Sequence, residues 1–216
     1  HPERGFVPPP TIISLAETLG EMSALGRNVM HEACRKVHQW NKNYGTELDV
    51  GVNVSALEIQ QGQSFIQNVR EIIDETDINP DRLIIEITET EVMDDLEFTV
   101  NLLQTLKDLS VNVAIDDFGT GQSSLQYLAE FPDPILKIDR AFVDGVTQDK
   151  TKDAIVKTTV TMSNEMGIKT IAEGVERQEE KDYLKKTGCD YYQGYYFSKP
   201  VESEIFEDRF LKNSFN

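Results

Sequence analysis

Histidine, cysteine and basic residues are scarce in this 216-residue chain. The three histidines, His1, His31 and His38, all precede the first strand-like run, so no candidate site carries imidazole. That disfavours zinc and any histidine-dependent hydrolysis. The two cysteines, Cys34 and Cys189, have neither paired nor zinc-like spacing, so they are expected to be reduced, buried and structural, as suits a cytosolic setting. Lysine and arginine number 21 against 38 acids, for a net charge of −17. Such a surface opposes general binding to a nucleic-acid backbone, which relies on clustered basic side chains. No apolar run approaches the roughly 20 residues of a membrane helix, and no signal segment opens the chain. A soluble, cytoplasmic domain is expected, and any membrane anchor would belong to the N-terminal region of a parent protein.

With no low-complexity linker either, residues 1–216 read as one domain. Residues 11–43 have helical periodicity, with Gly20 and Gly26 marking a break between two helices. Strands are expected at Val50–Ser55, Leu83–Thr88, Asn112–Asp117, Ile135–Asp139, Lys169–Glu173 and Tyr191–Phe197. Helices are expected near Phe65–Glu75, from the capping pair Asp94-Asp95 to Leu109, near Ser124–Glu130, and over Asp153–Met166 and Gln178–Lys186. Apolar Leu83–Thr88 reads as a strand covered on both faces. After Pro200 a closing helix would put Ile205, Phe206 and Phe210 on one side.

Each strand-like run ends on a polar group: Asn53, Glu86, Asp116, Lys137, Glu173 and Gln193. Successive groups are 33, 30, 21, 36 and 20 residues apart, about the length of a strand plus a crossover helix. Alternation places Glu86 with Ile84 and Thr88, Asn53 with Gly51, Asp116 with Ala114 and Glu173 with Ile171, so each run sends one polar group inward. Six such units read as a βα barrel, whose chemistry gathers at the C-terminal strand ends. The cluster is oxygen-rich with one lysine, which suits hard divalent cations and phosphate.

Two divalent ions about 3.5–4 Å apart can activate water against a phosphodiester, and they need several carboxylates, one of them bridging. Asp116-Asp117 is the natural bridge, since adjacent acids repel unless a cation lies between them; an exposed pair capping a helix is the bland alternative. Lys137 either neutralises nearby acids, handles the attacking water or forms a structural ion pair with Asp139. Glu89 and Glu176 follow strand-end glutamates by three residues, which places them in loops, where they would support the ligands or anchor the chain. Most other acids, Glu179-Glu180 and Asp94-Asp95 among them, read as solvated helix faces or helix starts. Asp117-Phe118-Gly119 matches a kinase metal-binding triplet, but the kinase's other motifs are missing. Gly119-Thr-Gly121 is too short for a dinucleotide fingerprint.

Six segments are specific enough to name a family: Val52-Asn-Val-Ser55, Glu86-Ile-Thr-Glu89, Asp116-Asp-Phe-Gly-Thr-Gly121, Leu136-Lys-Ile-Asp-Arg140, Ala172-Glu-Gly-Val-Glu176 and Gln193-Gly-Tyr195. In these the chain resembles the EAL domain of cyclic di-GMP phosphodiesterases over essentially its whole length. The resemblance implies an α/β, TIM-like (β/α) barrel that opens cyclic di-GMP to linear pGpG with Mg²⁺ or Mn²⁺, two ions being expected. It implies metal ligands at Asn53, Glu86, Asp116, Asp117 and Glu173, and catalytic roles for Lys137, Glu173 and Gln193 in orienting water or its metal. Glu89 would anchor the loop after Asp116-Asp117, with Asp139 and Glu176 in support, and Gly119, Thr120 and Gly121 would meet the substrate. A homodimer, fused in the parent protein to sensory or GGDEF-type domains, is also implied.

The chain departs from that family in two places. His1-Pro-Glu-Arg-Gly-Phe6 resembles the loop just after the Glu-Ala-Leu signature, so six of the usual eight strands are expected, without the signature glutamate. Open edges and uncovered core would follow. Gln122 stands where the family usually carries tyrosine. The missing glutamate motivates a second reading, a receptor that binds cyclic di-GMP without cutting it. A third, a scaffold that binds no nucleotide, leaves the clustered acids without a purpose.

Overall fold

Six parallel strands, in the order of the sequence, form one sheet in the computed structural model, which describes residues 5–119 and 128–212. The strands are β1 (Val50–Asn53), β2 (Leu83–Thr88), β3 (Asn112–Phe118), β4 (Ile135–Ile138), β5 (Lys169–Ala172) and β6 (Tyr191–Tyr192). The helices are α1 (Pro9–Leu19), α2 (Met22–Tyr44), α3 (Ala56–Ile59), α4 (Gln63–Thr76), α5 (Glu89–Asp94), α6 (Leu96–Asp108), α7 (Arg140–Val143), α8 (Lys150–Met166), α9 (Gln178–Thr187) and α10 (Ser203–Phe206). Each strand pairs with the next in parallel, so all six C-terminal ends lie at one end of the sheet. This is the architecture of a TIM-like barrel with one side open, the six strands forming a half-barrel.

Apolar periodicity sets which face each element buries. Along β2, Leu83, Ile85 and Ile87 are fully buried and pack with Val69 and Ile72 of α4, Leu103 and Leu106 of α6, and Met30 and Cys34 of α2. Ile84, Glu86 and Thr88 point the other way, to the barrel interior, and are only half-buried. The expectation that β2 is covered on both faces therefore holds for the helix side alone. A second cluster under β4 and β5 joins Ile138, Val143, Val156, Val160, Ala172, Val175 and Leu184. At the edge of the sheet α1 leaves Ile12, Ile13, Leu15 and Leu19 exposed.

Several elements differ from the sequence reading. Only Gly20 breaks the first helical stretch, as the left-handed cap of α1. Gly26 lies inside α2, where a Cβ would stand 1.7 Å from Glu58 Oε1, so it permits close packing and ends no helix. The last strand stops at Tyr192, and residues 195–197 form a turn. Glu89 opens α5 and does not sit in a loop. The closing helix is split into α10 and a π-helical turn, Glu207–Leu211. Phe206 stacks on Trp40 and packs beside Phe210, whereas Ile205 is exposed. Asp95 caps α6 through the Phe98 N–H, as its position predicts. Thr120, Gly121, Gln122, the start of the helix expected near Ser124–Glu130, and His1 to Arg4 lie outside the described residues.

Candidate active site

The parallel register sets the strand-end groups side by side. Asn53 pairs with Glu86 across β1 and β2, and Thr88 with Asp116 across β2 and β3. Gly51 makes room for the first of these acids, because a Cβ there would lie 2.2 Å from Glu86 Oε1. On β5 and β6, Glu173 and Gln193 follow the last paired residues, and Gln193 Nε2 donates to Glu173 Oε1 at 2.5 Å.

Strict alternation would send Asp116 inward and Asp117 to the opposite face. The pairing of β3 with β4 slips between Ile115 and Phe118, leaving β3 with one extra residue against Leu136–Ile138. Asp117 also takes a left-handed conformation, φ 56°, which aspartate tolerates better than most side chains. A bulge of this kind re-aims a side chain. As a result one carboxylate oxygen each from Asp116, Asp117 and Glu173 lies within 4.8 Å of the others. Those three could hold a divalent cation.

Lys137 lies at the centre. Its side chain is 2% exposed, and Nζ stands 2.6 Å from Glu86, 2.7 Å from Glu173 and 2.9 Å from Asp116. Of the alternatives for Lys137, neutralising nearby acids is the one observed, and the ion pair with Asp139 is not, because Lys137 points into the barrel while Asp139 caps α7 through the Ala141 N–H. Burial alone would lower the lysine pKa, yet hydrogen bonds to Glu173 and Glu86 outweigh it and raise the pKa above the ordinary value. The ammonium is therefore held charged. It neutralises the acids and is a poor base. Burial raises the Glu173 carboxyl despite Lys137, and burial with the neighbouring Asp116 and Asp139 raises Asp117. Four carboxylates facing one ammonium leave a negative surplus that a cation would balance.

The loops around the cluster are tied by other acids. Glu89 is buried and accepts the Gly119 N–H at 2.9 Å. Glu176 pairs with Arg140 at 2.7 Å. Arg140 and Glu91 had no assigned role in the sequence reading. Glu91 takes the Thr88 and Ala56 N–H groups, both at 2.8 Å, joining the loops after β1 and β2. The capping box Thr88-Glu-Thr-Glu91 was a readable signal for it. Beside Glu173, a cleft of about 750 Å³ runs between Arg140, Tyr195, Phe197 and Phe206.

A family model described as the EAL domain matches residues 1–200. The chain belongs to the EAL domain family. This EAL domain is 34% identical over 204 residues to the bifunctional diguanylate cyclase/cyclic di-GMP phosphodiesterase MucR of Pseudomonas aeruginosa, a match covering 94% of the chain and 30% of that relative. It is 34% identical over 216 residues to the cyclic di-GMP phosphodiesterase PdeR of Escherichia coli, covering 99% of the chain and 32% of the relative. The chain thus spans about a third of the length of these curated relatives. The solved structure of the PaMucR phosphodiesterase in complex with c-di-GMP matches with a TM-score of 0.89 at 34% identity, over 95% of this chain and 83% of that one. The EAL enzyme Bd1971, bound to cAMP and cyclic di-GMP, matches with a TM-score of 0.87 at 29% identity, over 96% and 57%. No helix among the described residues is long and apolar enough to cross a membrane.

Proposed function

We propose that this EAL domain is the hydrolytic part of a cyclic di-GMP phosphodiesterase that yields linear pGpG with two Mg²⁺ or Mn²⁺ ions. The observation that carries the reading is the convergence of Glu86, Asp116, Asp117 and Glu173 at the strand ends around buried Lys137. The all-oxygen donor set fits a hard divalent cation, with Asn53 able to add an amide oxygen beside Glu86. When bound, such ions supply an activated water and charge stabilisation for the leaving oxygen. Asp116 and Asp117, brought to one side by the bulge, would be the carboxylates that hold the ions together with Glu173. Lys137 holds Glu86, Asp116 and Glu173 in mutual register and offsets part of their charge. Gln193 fixes the Glu173 carboxylate by donating its amide N–H to Oε1, the same oxygen that Lys137 contacts. Glu89 and Gly119 hold the loop that follows Asp117, and that loop, with Gly119, Thr120 and Gly121, would meet the substrate.

The names of the relatives and of the ligand-bound neighbours support cyclic di-GMP as the substrate. The longer relatives, and one named as the oxygen sensor protein DosP, support a parent protein with sensory or cyclase-like domains.

The test is incubation with cyclic di-GMP and Mn²⁺, following pGpG by chromatography, with an Asp116→Asn variant and an N-terminally extended chain alongside. Metal-dependent product that Asp116→Asn abolishes is the expected result. Nucleotide binding without product in any version would replace this reading with a receptor.

A further inference from the structure

Glu180 is an acid for which the proposed reaction has no use. In the sequence it belongs to Glu179-Glu180, a pair that reads as a solvated helix start. The structure divides that pair: the Glu179 side chain is 52% exposed and that of Glu180 is 1% exposed. Burying a carboxylate costs several kcal/mol unless donors replace its water.

The donors are present, and they come from two loops. Glu180 Oε2 accepts the N–H groups of Glu176 and Arg177, each at 3.0 Å. Oε1 accepts the Gly145 N–H at 3.1 Å and a short hydrogen bond from Arg177 Nη2. Glu176 and Arg177 close the loop that leaves β5 at Glu173. Gly145 follows α7, the helix capped by Asp139. Midway along the β5 loop, the Val175 N–H donates to the Gln193 carbonyl, and the Tyr196 N–H donates to the Val175 carbonyl. The backbone from Glu173 to Arg177 is therefore held at its far end by Glu180 and at its middle by the segment carrying Gln193. Only two residues separate Glu173 from Glu176, so a change at the clamp reaches the site within one turn of chain.

We propose that Glu180 is a positioning residue for the site, its carboxylate fixing the loop conformation that aims Glu173 and Gln193 at the cation. This rests on the metal-dependent reading above. Glu89 gives a precedent in the same molecule, since it too is a buried glutamate holding a loop amide beside a strand-end acid.

Three variants test it: Glu180→Ala, Glu180→Gln and, as a control, Glu179→Gln. They are compared by amide hydrogen exchange at Gly145, Glu176 and Arg177, by Mn²⁺ calorimetry well below each unfolding midpoint, and by kcat and KM for cyclic di-GMP. Glu180→Ala is expected to speed exchange at those amides and to weaken Mn²⁺ binding about 10- to 100-fold, the usual effect of losing a group that orients a ligand. Glu180→Gln keeps one acceptor oxygen for Glu176 and Arg177, so its loss is intermediate and kcat falls more than KM changes. Should the alanine variant fail to fold, the glutamine variant alone decides. Folded variants that bind Mn²⁺ as tightly as the parent, with only a lower unfolding midpoint, overturn the proposal. A parent that binds Mn²⁺ but leaves cyclic di-GMP intact overturns the phosphodiesterase reading, and the clamp is then decided on metal affinity and exchange.

Discussion

Lys137 Nζ stands 2.6 Å from Glu86 Oε2, although the two are 51 positions apart in sequence and β3 lies between their strands. The ammonium is the only cation among the described residues within ion-pair distance of Glu86, Asp116 or Glu173, whose side chains are 14–15% exposed. It does structurally what a bound cation would do electrostatically.

Replacing Lys137 by methionine leaves three half-buried acids facing each other. In metal-free buffer the cost is expected at about 3–5 kcal/mol, the range for removing one partner of a buried ion pair. Added Mn²⁺ should restore part of it, because a cation re-enters the same cluster. Urea unfolding with and without Mn²⁺ measures both, and a variant as stable as the parent without metal would contradict the neutralising role.

Glu89→Ala leaves the Gly119 amide without the acceptor it now has at 2.9 Å. Gly119 is itself exposed, so water can replace part of the loss and the cost is expected at about 0.5–1.5 kcal/mol, that of one ordinary hydrogen bond. Because Gly119 is two residues from Asp117, the larger consequence is local. Exchange at Gly119 should accelerate, and Mn²⁺ binding should weaken more than global stability falls. Equal affinity in variant and parent would confine Glu89 to a packing role.

Much of the site was legible because a strand covered by helices leaves a distinctive trace: a short apolar run with a polar group at its end, repeated at the length of one βα unit. That pattern placed Asn53, Glu86, Asp116, Lys137, Glu173 and Gln193 together. Three features were not legible, each for a physical reason. The bulge that turns Asp117 toward Asp116 is a property of register between two strands, and neither strand alone records it. The partners of Lys137 come from three other strands, so its sequence neighbour Asp139 was a natural but mistaken candidate. Glu180 looked solvated because an acid in a first helical turn is favourable in water; only the return of two loops over it shows that it is buried.

Gly51→Ala isolates the placement of Glu86. The added Cβ would meet the far end of a flexible side chain, 2.2 Å from Oε1, so the fold can accommodate it by turning the glutamate aside. Stability should change by less than about 1 kcal/mol, whereas Mn²⁺ affinity should fall about 10-fold or more. Thermal unfolding beside calorimetry separates the two. A parallel loss of both would mean that the strand itself is disrupted.

Acidification provides a test of the Glu180 clamp without metal or substrate. Burial pushes the Glu180 carboxyl up, but the Glu176 and Gly145 amides and the Arg177 guanidinium outweigh it and hold the pKa below its ordinary 4.5. The unfolded chain then binds the proton more readily than the folded one, so the stability from this group is complete above 4.5 and is lost as pH falls through the lowered value. Glu180→Gln cannot titrate. The stability gap between parent and variant should therefore stay constant from neutral pH to about pH 5 and narrow below 4.5. Urea titrations of both proteins across that range measure the gap. One that keeps its full size into strong acid would mean that the carboxyl titrates alike in the folded and unfolded chain, and a charged Glu180 clamp would be overturned.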